Sequence, residues 1–73
     1  MERKEIQGSS NVKSIGYDPK NQILEIEYHG GRVYQYQPIS KVGYKLLMSA
    51  ESKGKFLNSH IKYNKAIKTD RVS

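Results

Sequence analysis

Apolar and polar residues alternate most cleanly over residues 22–28, where Leu24, Ile26 and Tyr28 fall on one face and Glu25 and Glu27 on the other. A period of two with one apolar side predicts a half-buried β-strand. Residues 12–17 and 32–37 show shorter runs of the same kind. The connections carry turn chemistry. In Asp18-Pro19-Lys20-Asn21, proline presets the backbone of a turn and aspartate can accept from the chain just beyond it. Pro38, which lacks a ladder donor, ends the third strand. Past it the period changes: Tyr44, Leu47 and Met48 stand at i, i+3, i+4, predicting a helix near 41–50 with Ser40 as its N-cap. Lys41 and Lys45 lie off that stripe, toward solvent. Ser52 is placed to cap a second short helix over 52–60 holding Phe56 and Leu57, although Gly54 near its start weakens it. The predicted class is α+β, a three-stranded antiparallel β-meander followed by two short helices packed on one face. Residues 1–8 and 63–73 lack apolar periodicity, so one domain over 9–62 is expected between a flexible N-terminal arm and a basic flexible tail.

The hairpin at His29-Gly30-Gly31 decides how Tyr34 and Tyr36 are used. A two- or four-residue loop pairs Tyr28 with Val33 and sets both tyrosines beside Glu25 and Glu27, as an exposed aromatic platform of the kind on which single-stranded RNA stacks. A three-residue loop pairs Tyr28 with Arg32 and places Tyr34 opposite Ile26 and Tyr36 opposite Leu24. One residue of slip exchanges the faces. The three-residue loop is favoured, because Gly31 suits the positive φ it needs at its last position and because the aromatic pair then joins the core.

Composition limits what this fold can do. The 73 residues suffice for one domain. With six tyrosines, one phenylalanine and no tryptophan, tyrosine supplies the bulk of the packing, and each buried hydroxyl needs a partner. Cysteine is absent, which excludes disulfides, thiolate chemistry and zinc ribbons. The charged N-terminus does not resemble a signal peptide, and the longest apolar run, Leu46-Leu47-Met48, falls far short of a membrane span. A cytoplasmic protein without membrane association is expected.

Charge is distributed unevenly. Residues 1–39 carry five basic and five acidic side chains, whereas residues 40–73 carry eight basic and two acidic ones, so the whole formal charge of +6 lies in the C-terminal half. Such asymmetry favours anionic partners, nucleic acid among them. A lysine-rich solubilising surface explains it equally well.

Candidate chemistry is sparse. Ser52-Lys53-Gly54-Lys55 could join a helix start, two lysines and a close-approach glycine into a phosphate site. It could equally be a capping serine followed by a packing glycine. Lys41 and Lys45, one helical turn apart, extend the candidate anion-binding set. The spacing does not fit a P-loop. Ser52, Asn58 and His60 lack an orienting acid and an oxyanion donor set, and His29 and His60 lack metal-ligand spacing. No catalytic, cofactor-binding or metal-binding residue is assigned, and the chain is expected to be a non-enzymatic binding module. Its ligand is RNA or another nucleic acid, held without sequence preference, or alternatively a protein partner, with the lysines serving solubility.

The chain closely resembles the KTSC domain family. The resemblance is carried by Ser9-Ser10-Asn11-Val12, Ile15-Gly16-Tyr17-Asp18-Pro19, Leu24-Glu25-Ile26 and Tyr34-Gln35-Tyr36. It continues through Tyr44, Leu47, Met48-Ser49-Ala50, Ser52-Lys53-Gly54-Lys55-Phe56-Leu57-Asn58 and His60-Ile61. These segments span residues 9–62, and their order and spacing are more specific than any one of them. Ser40 and Gly43 depart from the family pattern, which has proline and a branched or apolar residue there, so the departures touch only the helix start. The resemblance implies a small domain found at the C-terminus of some lysyl-tRNA synthetases and free-standing in bacterial and phage proteins. RNA binding is suggested by the synthetase context alone.

Overall fold

The computed structural model describes residues 1–73. The alternating stretches form a sheet of five strands, β1 (Arg3–Glu5), β2 (Val12–Asp18), β3 (Ile23–Tyr28), β4 (Val33–Gln37) and β5 (Lys68–Arg71). Each strand pairs antiparallel with its neighbour in sequence, in the order β1-β2-β3-β4-β5. The three expected strands are the inner ones, and the expected count of three is corrected to five. The segments read as arm and tail both supply edge strands. Every residue of β1 and β5 is exposed, so backbone hydrogen bonding holds them and no apolar alternation marks them. The tail is further fixed where the Val72 N–H donates to the Val33 carbonyl at 2.8 Å and Ile67 packs against the core.

The turns follow their chemistry. The Asp18 carboxylate accepts from the N–H groups of Lys20 and Asn21 at 3.0 and 3.3 Å and from the Asn21 amide at 2.8 Å. That bond to the Asn21 side chain, foremost, lowers the Asp18 pKa. In the second hairpin, the Tyr28 N–H donates to the Arg32 carbonyl at 2.8 Å, and Gly30 and Gly31 take φ of 101° and 90°. The loop therefore has three residues, and the register sets Ile26 against Tyr34 and Leu24 against Tyr36. Between β2 and β3 the register shifts: Val12 faces Tyr28 while Ser14 faces Glu27, leaving Lys13 as an extra residue. This bulge lets Val12 and Ile15, three apart, both point into the core, which simple alternation forbids.

Two helical segments cover one face. Helix α1 (Lys41–Ser49) is capped by Ser40, whose hydroxyl accepts from the Gly43 N–H at 3.1 Å. Tyr44 of α1 stacks on Tyr17 of β2 with ring centroids 4.5 Å apart, and the Tyr17 hydroxyl donates to the Ile39 carbonyl at 2.6 Å. Helix α2 (Lys53–Phe56) is capped by Ser52 and runs directly into a wider π-helical segment, Leu57–Lys62. The expected second helix thus extends to Lys62 and changes its winding, with Leu57 and Ile61 buried one turn apart. The core comprises Val12, Ile15, Leu24, Ile26, Tyr28, Tyr36, Ile39, Leu47, Leu57 and Ile61. Tyr34, Tyr44, Met48 and Phe56 pack at its margin.

The other sheet face is polar, and the Arg3 side chain covers part of it. The Arg3 guanidinium crosses β2 to donate to Glu25 of β3, which also accepts from the Gln35 amide at 2.8 Å. Gly16 lies beneath, and a Cβ there would meet the Glu2 carbonyl oxygen at 2.7 Å and the Arg3 Cγ at 2.9 Å. Glu25 is therefore only 8% exposed, where the alternation alone predicts a solvent-facing carboxylate. No helix is long and apolar enough to cross a membrane.

Candidate nucleic-acid interface

Of the residues singled out by sequence, Ser52, Lys53 and Gly54 line one cavity, and Lys41, Lys45 and Lys55 lie outside it. Lys41 and Lys45 project from α1 into solvent. The Ser52 hydroxyl accepts from the Lys55 N–H at 3.3 Å, and the Lys53 ammonium folds back to donate to the Ala50 carbonyl at 3.1 Å, just past the end of α1. Gly54 faces the Asn11 side chain, with room for a Cβ only 3.2 Å from Nδ2. The cavity beside this turn is lined by Glu51 as well as Lys53, so a carboxylate opposes the cation. Ser52-Lys53-Gly54-Lys55 starts a helix and joins it to the N-terminal loop. The imidazole of His60 rests on Phe56 with ring centroids 4.6 Å apart. No group of three or more potential metal ligands forms.

A different site is built on the covered face of the sheet, around Tyr28. The ring of Tyr28 is held by β3, and the hairpin register places Arg32 across from it with its Cζ 5.8 Å from the ring centroid. Lys62, the last residue of the π-helical segment, brings its Nζ to 5.3 Å from the same centroid. The ion pairs of the molecule involve Arg3, Lys13 and Lys68, so neither cation on this ring has a carboxylate within 4 Å. Two like charges held within 6 Å of one ring centroid repel each other, and an anion reaching both would relieve that.

The cleft consists of two cavities that share three lining residues. One, of 280 Å³, is walled by Tyr34, Tyr36, Tyr63 and Thr69. The other, of 190 Å³, is walled by Asn11, His29 and Asn58, and both share Tyr28, Arg32 and Lys62. No acidic side chain lines either part. Tyr34 meets Tyr28 edge-on at 5.8 Å, while the Tyr28 and Tyr36 hydroxyls share a buried hydrogen bond of 2.7 Å. Burial, then the bond to Tyr36, pushes the Tyr28 hydroxyl far above its ordinary pKa. Burial also raises Tyr36, against the lowering effect of its bond to Tyr28. Both phenols stay protonated, so the floor of the cleft carries no negative charge. The ring of Tyr63 is 83% exposed at the rim. His29 sets its Nε2 3.1 Å from the Ser9 carbonyl, where a protonated nitrogen donates.

Of these groups, Arg32 opposite Tyr28 follows from the three-residue loop. Lys62 does not, because an ordinary helical period misplaces a residue at the end of a π-helical turn. The segments Ser9–Val12 and Ser52–Asn58, read separately along the chain, meet here: Ser10, Asn11, Gly54 and Asn58 all line the polar part.

The architecture defines a class, a small α+β domain whose antiparallel sheet is covered on one face by two helical segments. Residues 8–64 match the family model of the KTSC domain, and the chain belongs to the KTSC domain family. It is similar to a KTSC domain protein from Yersinia pestis, whose crystal structure aligns with a TM-score of 0.87 at 36% identity over 99% of this chain and 97% of that one. Residues of β1 and β5, outside the matched stretch, thus fall within the shared structure. An uncharacterized protein of Stutzerimonas stutzeri is 39% identical over 54 residues, covering 74% of this chain and 76% of its own. A protein of Tsukamurella paurometabola is also 39% identical over 54 residues, covering 74% of this chain and 81% of its own.

Proposed function

We propose that this domain binds single-stranded nucleic acid, RNA foremost, in the cleft around Tyr28. The observation that carries the reading is the pair of unneutralised cations, Arg32 and Lys62, on one tyrosine ring in a cleft without acidic residues. Phosphates are held by cations and bases by aromatic faces, and the two together give a strand affinity with little sequence preference. The excess positive charge of residues 40–73 raises the local concentration of any such strand. Fluorescence anisotropy of a labelled oligouridine of about ten nucleotides tests this. Binding is expected at about 50 mM salt and should weaken steeply by about 200 mM. No binding at the lower salt sinks the reading.

One observation favours a second reading. Val42 and Leu46, one turn apart on α1, are 66% and 56% exposed, and Leu46 borders a 410 Å³ groove lined by Ile39, Phe56, Ile61 and Ile67. Lys41 and Lys45 flank that patch, so an acidic amphipathic helix would complement both its charge and its apolar stripe. Such docking would persist at salt concentrations that abolish strand binding.

A further inference from the structure

We propose that the cleft is a seat for one nucleotide, with the base in the tyrosine-walled part and the phosphate in the amide-lined part, so that a free 5′-mononucleotide is itself a ligand. The proposal deepens the strand-binding reading and rests on it.

Size comes first. The two parts, 280 and 190 Å³, each fall below the range of small-molecule pockets, roughly 300–1,000 Å³, and together lie in its lower half. That holds one nucleotide and leaves no room for a run of stacked bases.

The chemistry then divides as a nucleotide does. The larger part offers Tyr34 and the exposed ring of Tyr63 to a flat aromatic group. The smaller part offers Asn11, Asn58 and His29, and Arg32 and Lys62 line both parts. A ligand with an aromatic half and an anionic half, separated by a small linker, satisfies both. The floor adds a further demand. Tyr28 and Tyr36 hold two hydroxyl protons but share one buried hydrogen bond, so a ligand group that reaches them has to be an acceptor. Inorganic phosphate would leave the aromatic part empty, and an apolar peptide would leave the cations unneutralised.

The test is an NMR titration of the full chain with 5′-UMP and 5′-AMP, beside uridine, inorganic phosphate and phenyl phosphate. The nucleotides should shift the amides of Gly31, Asn58, Lys62 and Tyr63. They should bind about ten-fold more tightly than uridine or phosphate alone. Tyr63→Ala, at a fully solvated rim position, should weaken nucleotide binding about ten-fold and leave phosphate unaffected. Lys62→Gln should weaken both. Equal affinity for phosphate and nucleotide, or indifference to Tyr63→Ala, overturns the proposal. So does equal affinity for phenyl phosphate, which would indicate a phosphotyrosine site. Oligouridine binding without mononucleotide binding ends the one-nucleotide seat and leaves the strand reading standing. Loss of both ends both.

Discussion

Tyr28 joins stability and site in one residue. Its ring joins the core with Val12 and has the two cations of the cleft within 6 Å of its centroid, while its hydroxyl bonds only Tyr36. Removing one partner strands the other in a buried place, whereas removing both leaves nothing unsatisfied. Tyr36→Phe should therefore cost about 1–2 kcal/mol in urea unfolding, and the Tyr28→Phe/Tyr36→Phe pair less than the sum of the two single changes. The pKa shifts add a pH signature. Both phenols are raised in the folded state, so their contribution is fully present below the ordinary tyrosine pKa of about 10 and is lost as pH rises beyond it. The double variant should show a flatter alkaline decline than the wild type. An identical decline in both would show that this pair does not set it.

At the level of elements, the inner strands and α1 were legible because their apolar residues must face the helices. Leu24, Ile26 and Tyr28 keep one parity, and Tyr44, Leu47 and Met48 one helical face. The edge strands were not, since Arg3-Lys4-Glu5 and Lys68-Thr69-Asp70-Arg71 bury nothing that would imprint a period. Nor were the bulge at Lys13 and the π-helical turn, both of which break the periods used to find them. The candidate site suffered most from this. Its loop arginine follows from register, but Lys62 and the meeting of Asn11 with Asn58 depend on tertiary packing. The polar face of the sheet can be tested through Glu27. The Ser14 hydroxyl, which donates to Glu27 at 2.8 Å, is the largest cause of its lowered pKa, with Lys13 and Arg3 adding to it. A carboxylate depressed in the folded state stabilises above its unfolded pKa, about 4.3, and the benefit disappears as pH falls through the folded value. Ser14→Ala should lower the urea midpoint at pH 7, and the difference from wild type should close toward about pH 3. A pH-independent difference would trace the loss to packing alone.

The whole molecule separates its charge by face. On the open side of the sheet, Arg3 and Lys13 neutralise Glu25 and Glu27 within the fold. On the helical side, Lys41, Lys45 and Lys62 stand without carboxylate partners, and Arg32 joins them from the hairpin. These cations should differ in effect. Arg32 and Lys62 sit in the cleft and would touch phosphate, so reversing either to Glu removes a direct contact. Each reversal should flatten the salt dependence of oligouridine affinity by about one unit in the logarithmic slope. Lys41 and Lys45 lie on α1, outside the cleft lining, and act through the field around it. Reversing both should slow association at about 50 mM salt, where the screening length is between 10 and 30 Å, roughly the size of the domain, and leave dissociation nearly unchanged. Glu5→Lys, at the far edge of the sheet, serves as the control and should alter neither. If the α1 pair carries the slope and the cleft pair does not, strands bind along the helix and the site around Tyr28 serves something else.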